Sequence, residues 1–181
     1  RNMPRVGRQG GSGADMGFCR NRAQTLGDSV KIDKFAGKTE KTTMGNFKED
    51  IVHTEAMVFD VDGVFTDGGI IPLPDGDFIR KYNAKDGYAV AYAVKMGYRI
   101  IIISGGRGLT LEKRFRHLGI TDLFIDVTDK SALLKEFMAK ENLDPRNVIF
   151  VGDDIPDLEC MRMVGIPVCP SDSAPEVIEA A

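Results

Sequence analysis

The 181-residue chain has no tryptophan, only two histidines and only three cysteines, and each shortage removes a class of protein. Cys19, Cys160 and Cys169 are odd in number and far apart, which disfavours a disulfide scaffold and leads to the expectation of a reducing, cytoplasmic setting. His53 and His117 do not combine with these cysteines at any familiar zinc-site spacing, so a metal would have to be held by oxygen. Long apolar runs are missing too. The most apolar stretch, Ile100 to Ile103, is cut off by Ser104-Gly105-Gly106, far short of the ~20 residues that cross a bilayer, and no membrane partner is expected. No apolar segment of secretory type follows the N-terminal arginines.

What is present is unevenly spread. The chain is 43% hydrophobic and 28% charged with a formal charge of −3. Residues 1–43 hold nine Lys and Arg against four Asp and Glu, a net +5, so residues 44–181 carry −8. The basic stretch contains Arg8-Gln9-Gly10-Gly11-Ser12-Gly13, a linker-like composition, and little apolar periodicity. Residues 1–43 are therefore expected to be a disordered extension or non-native arm outside the fold, with Met44 a plausible start and residues 44–181 a single domain. No nucleic-acid partner is expected.

From about Glu49 onward, short apolar strands alternate with amphipathic helices. Strands are expected at Ala56 to Phe59, Arg99 to Ile103, Leu123 to Ile125, Val148 to Val151 and Ile166 to Val168. Helices are expected at Gly87 to Met96 and Leu109 to Leu118, each closed by a glycine, at Ser131 to Glu141 with Asp129 as cap, and at Ile155 to Met163. Continuous apolar strands joined by crossover helices mean an α/β fold: a doubly wound, Rossmann-like parallel sheet covered on both faces. Its ligand belongs beyond the strand C-termini, where strand order reverses. One segment breaks the rhythm. Between the first strand and the first helix, Asp75-Gly76 lies between β-prone flanks and signals a hairpin. Pro72 and Pro74 confine that hairpin to an edge or a subunit contact, so it is expected to act as a lid or an oligomer contact.

The chemistry gathers at strand ends. The first strand runs into Asp60-Val61-Asp62-Gly63-Val64-Phe65-Thr66-Asp67-Gly68, and the fourth into Gly152-Asp153-Asp154-Ile155-Pro156-Asp157. Carboxylates crowded at the mouth of an apolar sheet repel one another unless a cation sits among them, and Mg²⁺ suits an oxygen site that also holds phosphate. Taken alone, Asp154 reads equally well as a cap on the following helix and Asp62-Gly63 as a turn. Ser104, before Gly105-Gly106, offers a hydroxyl and backbone N–H groups of the kind that hold phosphate. Lys130, at a helix start, can cancel phosphate charge.

In that order along the chain, Asp60-Val61-Asp62-Gly63-Val64, Ser104, Lys130 and Gly152-Asp153-Asp154-Ile155-Pro156-Asp157 resemble the four motifs of the haloacid dehalogenase superfamily of phosphohydrolases. Thr66-Asp67-Gly68, the small hairpin in place of a cap domain, and Tyr82-Asn83-Ala84-Lys85-Asp86-Gly87-Tyr88 narrow the resemblance to the 3-deoxy-D-manno-octulosonate 8-phosphate phosphatase family, whose product feeds lipopolysaccharide synthesis. The resemblance implies that Asp60 is the nucleophile and Asp62 the general acid and base. It implies that Mg²⁺ is bound by Asp60, the Asp62 backbone carbonyl and Asp153, and that Ser104, Gly105 and Lys130 hold the phosphate, with Lys130 also tethering Asp60. Asp157 is implied to orient the metal shell, with Asp154 as its neighbour in that loop, and Asn83 and Arg107 are candidate substrate contacts.

The resemblance further implies a small sugar-acid phosphate as substrate and a homotetramer assembled through the hairpins. Two departures stand out. Where the family carries a larger polar residue two places after Ser104, this chain has Gly106, followed by Arg107; and relatives continue beyond Ala181, so a truncated C-terminus is expected. The alternatives are a nononate 9-phosphate phosphatase and a non-catalytic assembly domain of the same fold. Retention of Asp60 argues against the latter. A phospho-accepting receiver domain would need Asp126 to serve without the observed motif order.

Overall fold

The computed structural model describes residues 51–181. The expected arm at residues 1–43, the candidate start Met44 and Cys19 lie outside the described residues. Five parallel strands form the main sheet: β1 (Ala56–Phe59), β4 (Ile100–Ile103), β5 (Asp122–Phe124), β6 (Val148–Val151) and β7 (Ile166–Val168), in the order β5-β4-β1-β6-β7. The chain winds outward from β1 through β4 to β5, then returns to the other side of β1 for β6 and β7. The reversal puts the switch point at the C-terminal end of β1, flanked by β4 and β6. In register, Phe59 pairs with Ile102 on one side and Val151 on the other, so Asp60, Ser104 and Asp153 all leave the sheet at the same edge.

β4 shows why these strands read as continuous apolar runs. All four of its isoleucines are buried. Ile100 and Ile102 pack with Val90 of α1 (Ala84–Lys95) and Leu111 and Phe115 of α2 (Leu109–His117); Ile101 and Ile103 face Leu134 and Phe137 of α3 (Lys130–Glu141), Met161 of α4 (Leu158–Met163) and Val177 of α5 (Pro175–Ala180). Alternate side chains thus feed opposite layers, and no face of the strand is left for polar residues.

The helices keep to the expected order with adjusted ends. α1 starts three residues earlier than expected because Asn83 caps it, its side chain accepting from the Lys85 N–H at 2.9 Å. Asp129 caps α3 as expected, accepting from the Ala132 N–H at 2.9 Å. The expected helix from Ile155 is instead a 3₁₀ turn, Ile155–Asp157, leading into α4. Pro156 is tolerated in that first turn, where backbone donors have no helical acceptor anyway.

The expected hairpin is present as a separate antiparallel pair, β2 (Ile70–Pro72) and β3 (Phe78–Arg80). Its turn closes with the Leu73 N–H donating to Asp77 O at 2.9 Å, and Gly76 takes the positive φ of 86° that the turn requires. It is pinned back to the body where Asp77 accepts from the Thr110 N–H at 3.3 Å.

The core gives a stability test. Phe150 is fully buried beneath the helices on one face of the sheet, with Phe137, Met138 and Met161, so Phe150→Ala should cost about 3–5 kcal/mol in urea unfolding. A loss below about 1 kcal/mol would contradict the described packing.

Candidate active site

A cleft of about 810 Å³ opens over the C-terminal ends of β1, β4 and β6. Its lining includes Asp60, Asp62, Ser104, Gly105, Lys130 and Asp153, together with Asp154 and Asp157. The structure therefore brings together the residues that the sequence places at strand ends. It does not bring Asn83 or Arg107. Asn83 is exposed and spent on capping α1, and the exposed Arg107 is not among the cleft-lining residues.

At the centre, Lys130 bridges two carboxylates. Its Nζ lies 2.9 Å from Asp60 Oδ2 and 2.8 Å from Asp157 Oδ1, and all three residues are buried. Position 130 can reach Asp60 because the preceding loop is held tightly: the Val127 N–H donates to Ser104 O at 3.1 Å and the Asp126 N–H to Gly106 O at 2.9 Å, with Asp126 itself at a positive φ of 58°. The same bonds shape the turn after β4, where the Ser104 side-chain oxygen accepts from the Gly106 N–H at 3.0 Å and keeps its own proton to donate.

Asp157 is the hub of the second acidic loop. Its Oδ1 takes Lys130, and its Oδ2 accepts from the Asp153 and Asp154 N–H groups at 3.1 and 3.3 Å. With both oxygens committed, Asp157 orients its neighbours, while Asp154 caps the 3₁₀ turn by accepting from the Ile155 N–H. Asp153 differs. Its Oδ1 is buried with no hydrogen-bond partner among the described residues. Its other oxygen presses so close to Gly63 that any Cβ there would collide with the carboxylate, and Gly63 also holds a positive φ of 86°. The loop after β1 is otherwise stitched by Thr66, whose hydroxyl oxygen accepts from the Gly63 and Gly68 N–H groups at 3.2 and 3.1 Å.

The electrostatics follow from crowding acids in a dry place. Burial raises Asp60 to about 6, opposed by the pull of Lys130 and reinforced by Asp157. Burial likewise raises Asp153 to about 7, with the charges of Asp60 and Asp157 adding to the effect. Lys130 is pulled down by burial, yet its two carboxylate partners outweigh this and hold it above an ordinary lysine. One ligand atom from each of Asp60, Asp153 and Asp157 falls within a 4.8 Å cluster. An orphaned buried carboxylate oxygen inside an all-oxygen donor set, with the neighbouring acids pushed toward protonation, fits a hard divalent cation.

Sequence reasoning missed Arg80. From β3 its side chain grips Asp62 in a two-pronged ion pair, Nε to Oδ1 at 2.7 Å and Nη2 to Oδ2 at 3.0 Å. No spacing rule links the two, since the partners are eighteen residues apart across the hairpin; the available signal was a lone cation on an otherwise apolar hairpin strand.

The model of haloacid dehalogenase-like hydrolases matches residues 83–165. The chain is 31% identical over 150 residues to the 3-deoxy-D-manno-octulosonate 8-phosphate phosphatase of Escherichia coli (strain K12), which covers 81% of this chain and 80% of that one. It belongs to the haloacid dehalogenase-like hydrolases. Within that family it is a phosphatase. The 3-deoxy-D-manno-octulosonate 8-phosphate phosphatase from Yersinia pestis has a similar crystal structure, with TM-score 0.70 and 32% identity over 74% of this chain and 72% of that one. The enzyme of the same description from Moraxella catarrhalis, solved with magnesium, phosphate and a KDO molecule, shares the fold at TM-score 0.69 and 24% identity over 74% of this chain and 76% of that one.

The raised carboxyls of this haloacid dehalogenase-like site make its metal-free stability pH-dependent. Asp60 and Asp153 bind protons more tightly folded than unfolded, so their contribution is complete below about 4 and is lost as pH rises through 6 to 7. The thermal midpoint of chelator-treated protein should fall between pH 5 and 7.5, and Asp153→Asn should flatten that slope. An unchanged slope in the variant would remove Asp153 as its source.

Proposed function

We propose that the chain is a magnesium-dependent phosphomonoester hydrolase that works through an aspartyl-phosphate, with 3-deoxy-D-manno-octulosonate 8-phosphate as substrate. This makes it a cytoplasmic enzyme of lipopolysaccharide precursor synthesis. The observation that carries the chemistry is the Asp153 oxygen beside Asp60, which has no partner among the described residues and lies at the switch point where the ends of β4, β1 and β6 meet. The substrate reading is supported by the similarity to phosphatases of that description.

An ester phosphate enters with its oxygens toward Ser104, the Gly105 backbone and Lys130, which match donors and positive charge to the oxygens where charge shifts during transfer. A magnesium ion held by Asp60, Asp153 and the Asp62 backbone carbonyl would supply the charge that lets a carboxylate meet a phosphate. An Asp60 carboxylate oxygen bonds to phosphorus as the bond from phosphorus to the ester oxygen breaks. Asp62 gives its proton to that departing oxygen, then removes a proton from the water that attacks phosphorus, and the Asp60–phosphorus bond breaks to release inorganic phosphate. Lys130 holds Asp60 in place throughout, and Asp157 holds Lys130.

Gly106, in place of a larger polar residue, favours a second reading, a related sugar-acid phosphate such as a nononate 9-phosphate. A panel of sugar-acid phosphates, assayed with and without Mg²⁺, separates the two. Asp60→Asn should abolish turnover with the fold intact by circular dichroism. Equal activity from both proteins would discard the aspartyl-phosphate mechanism.

Self-association through the hairpin belongs to the same reading, as a homotetramer. Ile71 and Ile79, paired across the hairpin, leave 61% and 48% of their surfaces exposed, and Ile70 on the opposite face leaves 49%, so the arm offers apolar surface for a contact. Light scattering should show a lower mass when the tip from Leu73 to Phe78 is shortened, and an unchanged mass would dismiss the hairpin as the contact.

A further inference from the structure

We infer that Arg80 is the positioning residue for the Asp62 carboxylate, and that position 106 is glycine because the Arg80 guanidinium has to cross it; this rests on the acid and base role proposed for Asp62. A loop carboxylate has two side-chain torsions to fix, and proton transfer in the transition state needs it aimed at the ester oxygen. Arg80 supplies the constraint with the planar fork of its guanidinium, one N–H to each Asp62 oxygen at 2.7 and 3.0 Å. Its remaining nitrogen, Nη1, donates to the Arg107 carbonyl at 3.4 Å, and the guanidinium lies 5.7 Å from the centre of the Phe78 ring. Each Asp62 oxygen accepts one of these N–H groups and retains a second lone pair.

Exposure decides between positioning and substrate binding. The Arg80 side chain is 3% exposed, whereas that of Asp62 is 30% exposed and lines the cleft. A guanidinium this sealed does not meet a substrate, but it does set where the carboxylate points. Gly106 completes the arrangement. A Cβ built there would lie 2.6 Å from Arg80 Nη2 and 3.1 Å from both Asp62 Oδ2 and Ser104 Oγ. A methyl group there would require the end of the guanidinium to shift by a few tenths of an ångström, which disturbs its two-pronged fit to the carboxylate. The hairpin thereby becomes part of the catalytic apparatus: it carries Arg80, and Asp77 fixes it to the start of α2 through the Thr110 N–H.

The test uses leaving groups of different basicity, because only a poor leaving group needs a proton donor in the first chemical step. Arg80→Met, Arg80→Lys and Gly106→Ala are compared with wild type on an alkyl sugar phosphate and on 4-nitrophenyl phosphate, reading kcat, KM and the first-turnover release of nitrophenolate. Arg80→Met should lower kcat for the alkyl ester by about 10- to 100-fold, within the range of a lost general acid, with KM changed less than about 2-fold. Nitrophenolate release in the first turnover should stay within about 3-fold of wild type. Arg80→Lys should recover part of the loss, since an ammonium keeps the charge without the fork. Gly106→Ala should reproduce the pattern with Arg80 present, which covers the case that Arg80→Met folds poorly.

Adding Arg80→Met to Asp62→Asn should cost nothing further, because the residue to be positioned is already gone. Equal losses on both leaving groups in the first turnover, or additive losses in the double variant, would overturn the role given to Arg80. Turnover that survives Asp60→Asn would instead overturn the aspartyl-phosphate reading beneath it.

Discussion

Lys130 holds two acids that would otherwise repel each other. Its ammonium lies within 3 Å of both Asp60 and Asp157, in a pocket where water is too scarce to screen like charges. Remove it, and two buried carboxylates face each other with a third, Asp153, nearby. A buried charge left without its partner is among the most costly defects a fold can carry. The loop geometry around the cleft serves this contact: the bonds between the turns after β4 and β5 bring the start of α3 over the end of β1, and Asp157 fixes the far side of the ammonium while organising the loop after β6.

One cation is not enough for three acids. Lys130 satisfies Asp60 and Asp157, and Asp153 is left with a buried oxygen that has no partner among the described residues, and with a carboxyl that burial raises to about 7. Selection for stability alone would favour a neutral residue at such a position. A site that keeps an uncompensated carboxylate beside another is holding electrostatic energy in reserve for a ligand of opposite sign. Gly63 shows how closely the position is built, since the Asp153 carboxylate occupies the volume that any side chain there would need.

The hairpin ties the edge of the molecule to its chemistry. It stands in its own two-stranded sheet, yet Arg80 returns from it to Asp62 and Asp77 returns to α2. Small shifts of the arm would therefore be felt at Asp62, whereas the Lys130 cluster is rooted in the main sheet and its crossovers. Two carboxylates separated by a single residue, Asp60 and Asp62, thus answer to different parts of the structure.

The periodicity of the chain was sufficient to find the parallel sheet, because buried strands such as Ile100–Ile103 admit no polar side chain and stand out against amphipathic helices. It also located Asp60, Ser104, Lys130 and Asp153, since each sits one or a few residues past an apolar run and strand ends in such sheets converge. Local signals went astray where one residue type serves two purposes. Asn83, a candidate substrate contact by resemblance, also caps α1 and so starts it earlier than the apolar pattern suggests, and the run from Ile155 divides into a 3₁₀ turn and a helix around Pro156. Beyond the Lys130–Asp60 tether that the resemblance implies, chain order did not say which acid pairs with which cation. Lys130 meets Asp157 across twenty-seven residues, and Arg80 meets Asp62 across eighteen, through distances set by how the layers pack. Residue type and spacing determine what a side chain can do, whereas its partners, its access to water and hence its charge are decided only when distant segments are folded against it.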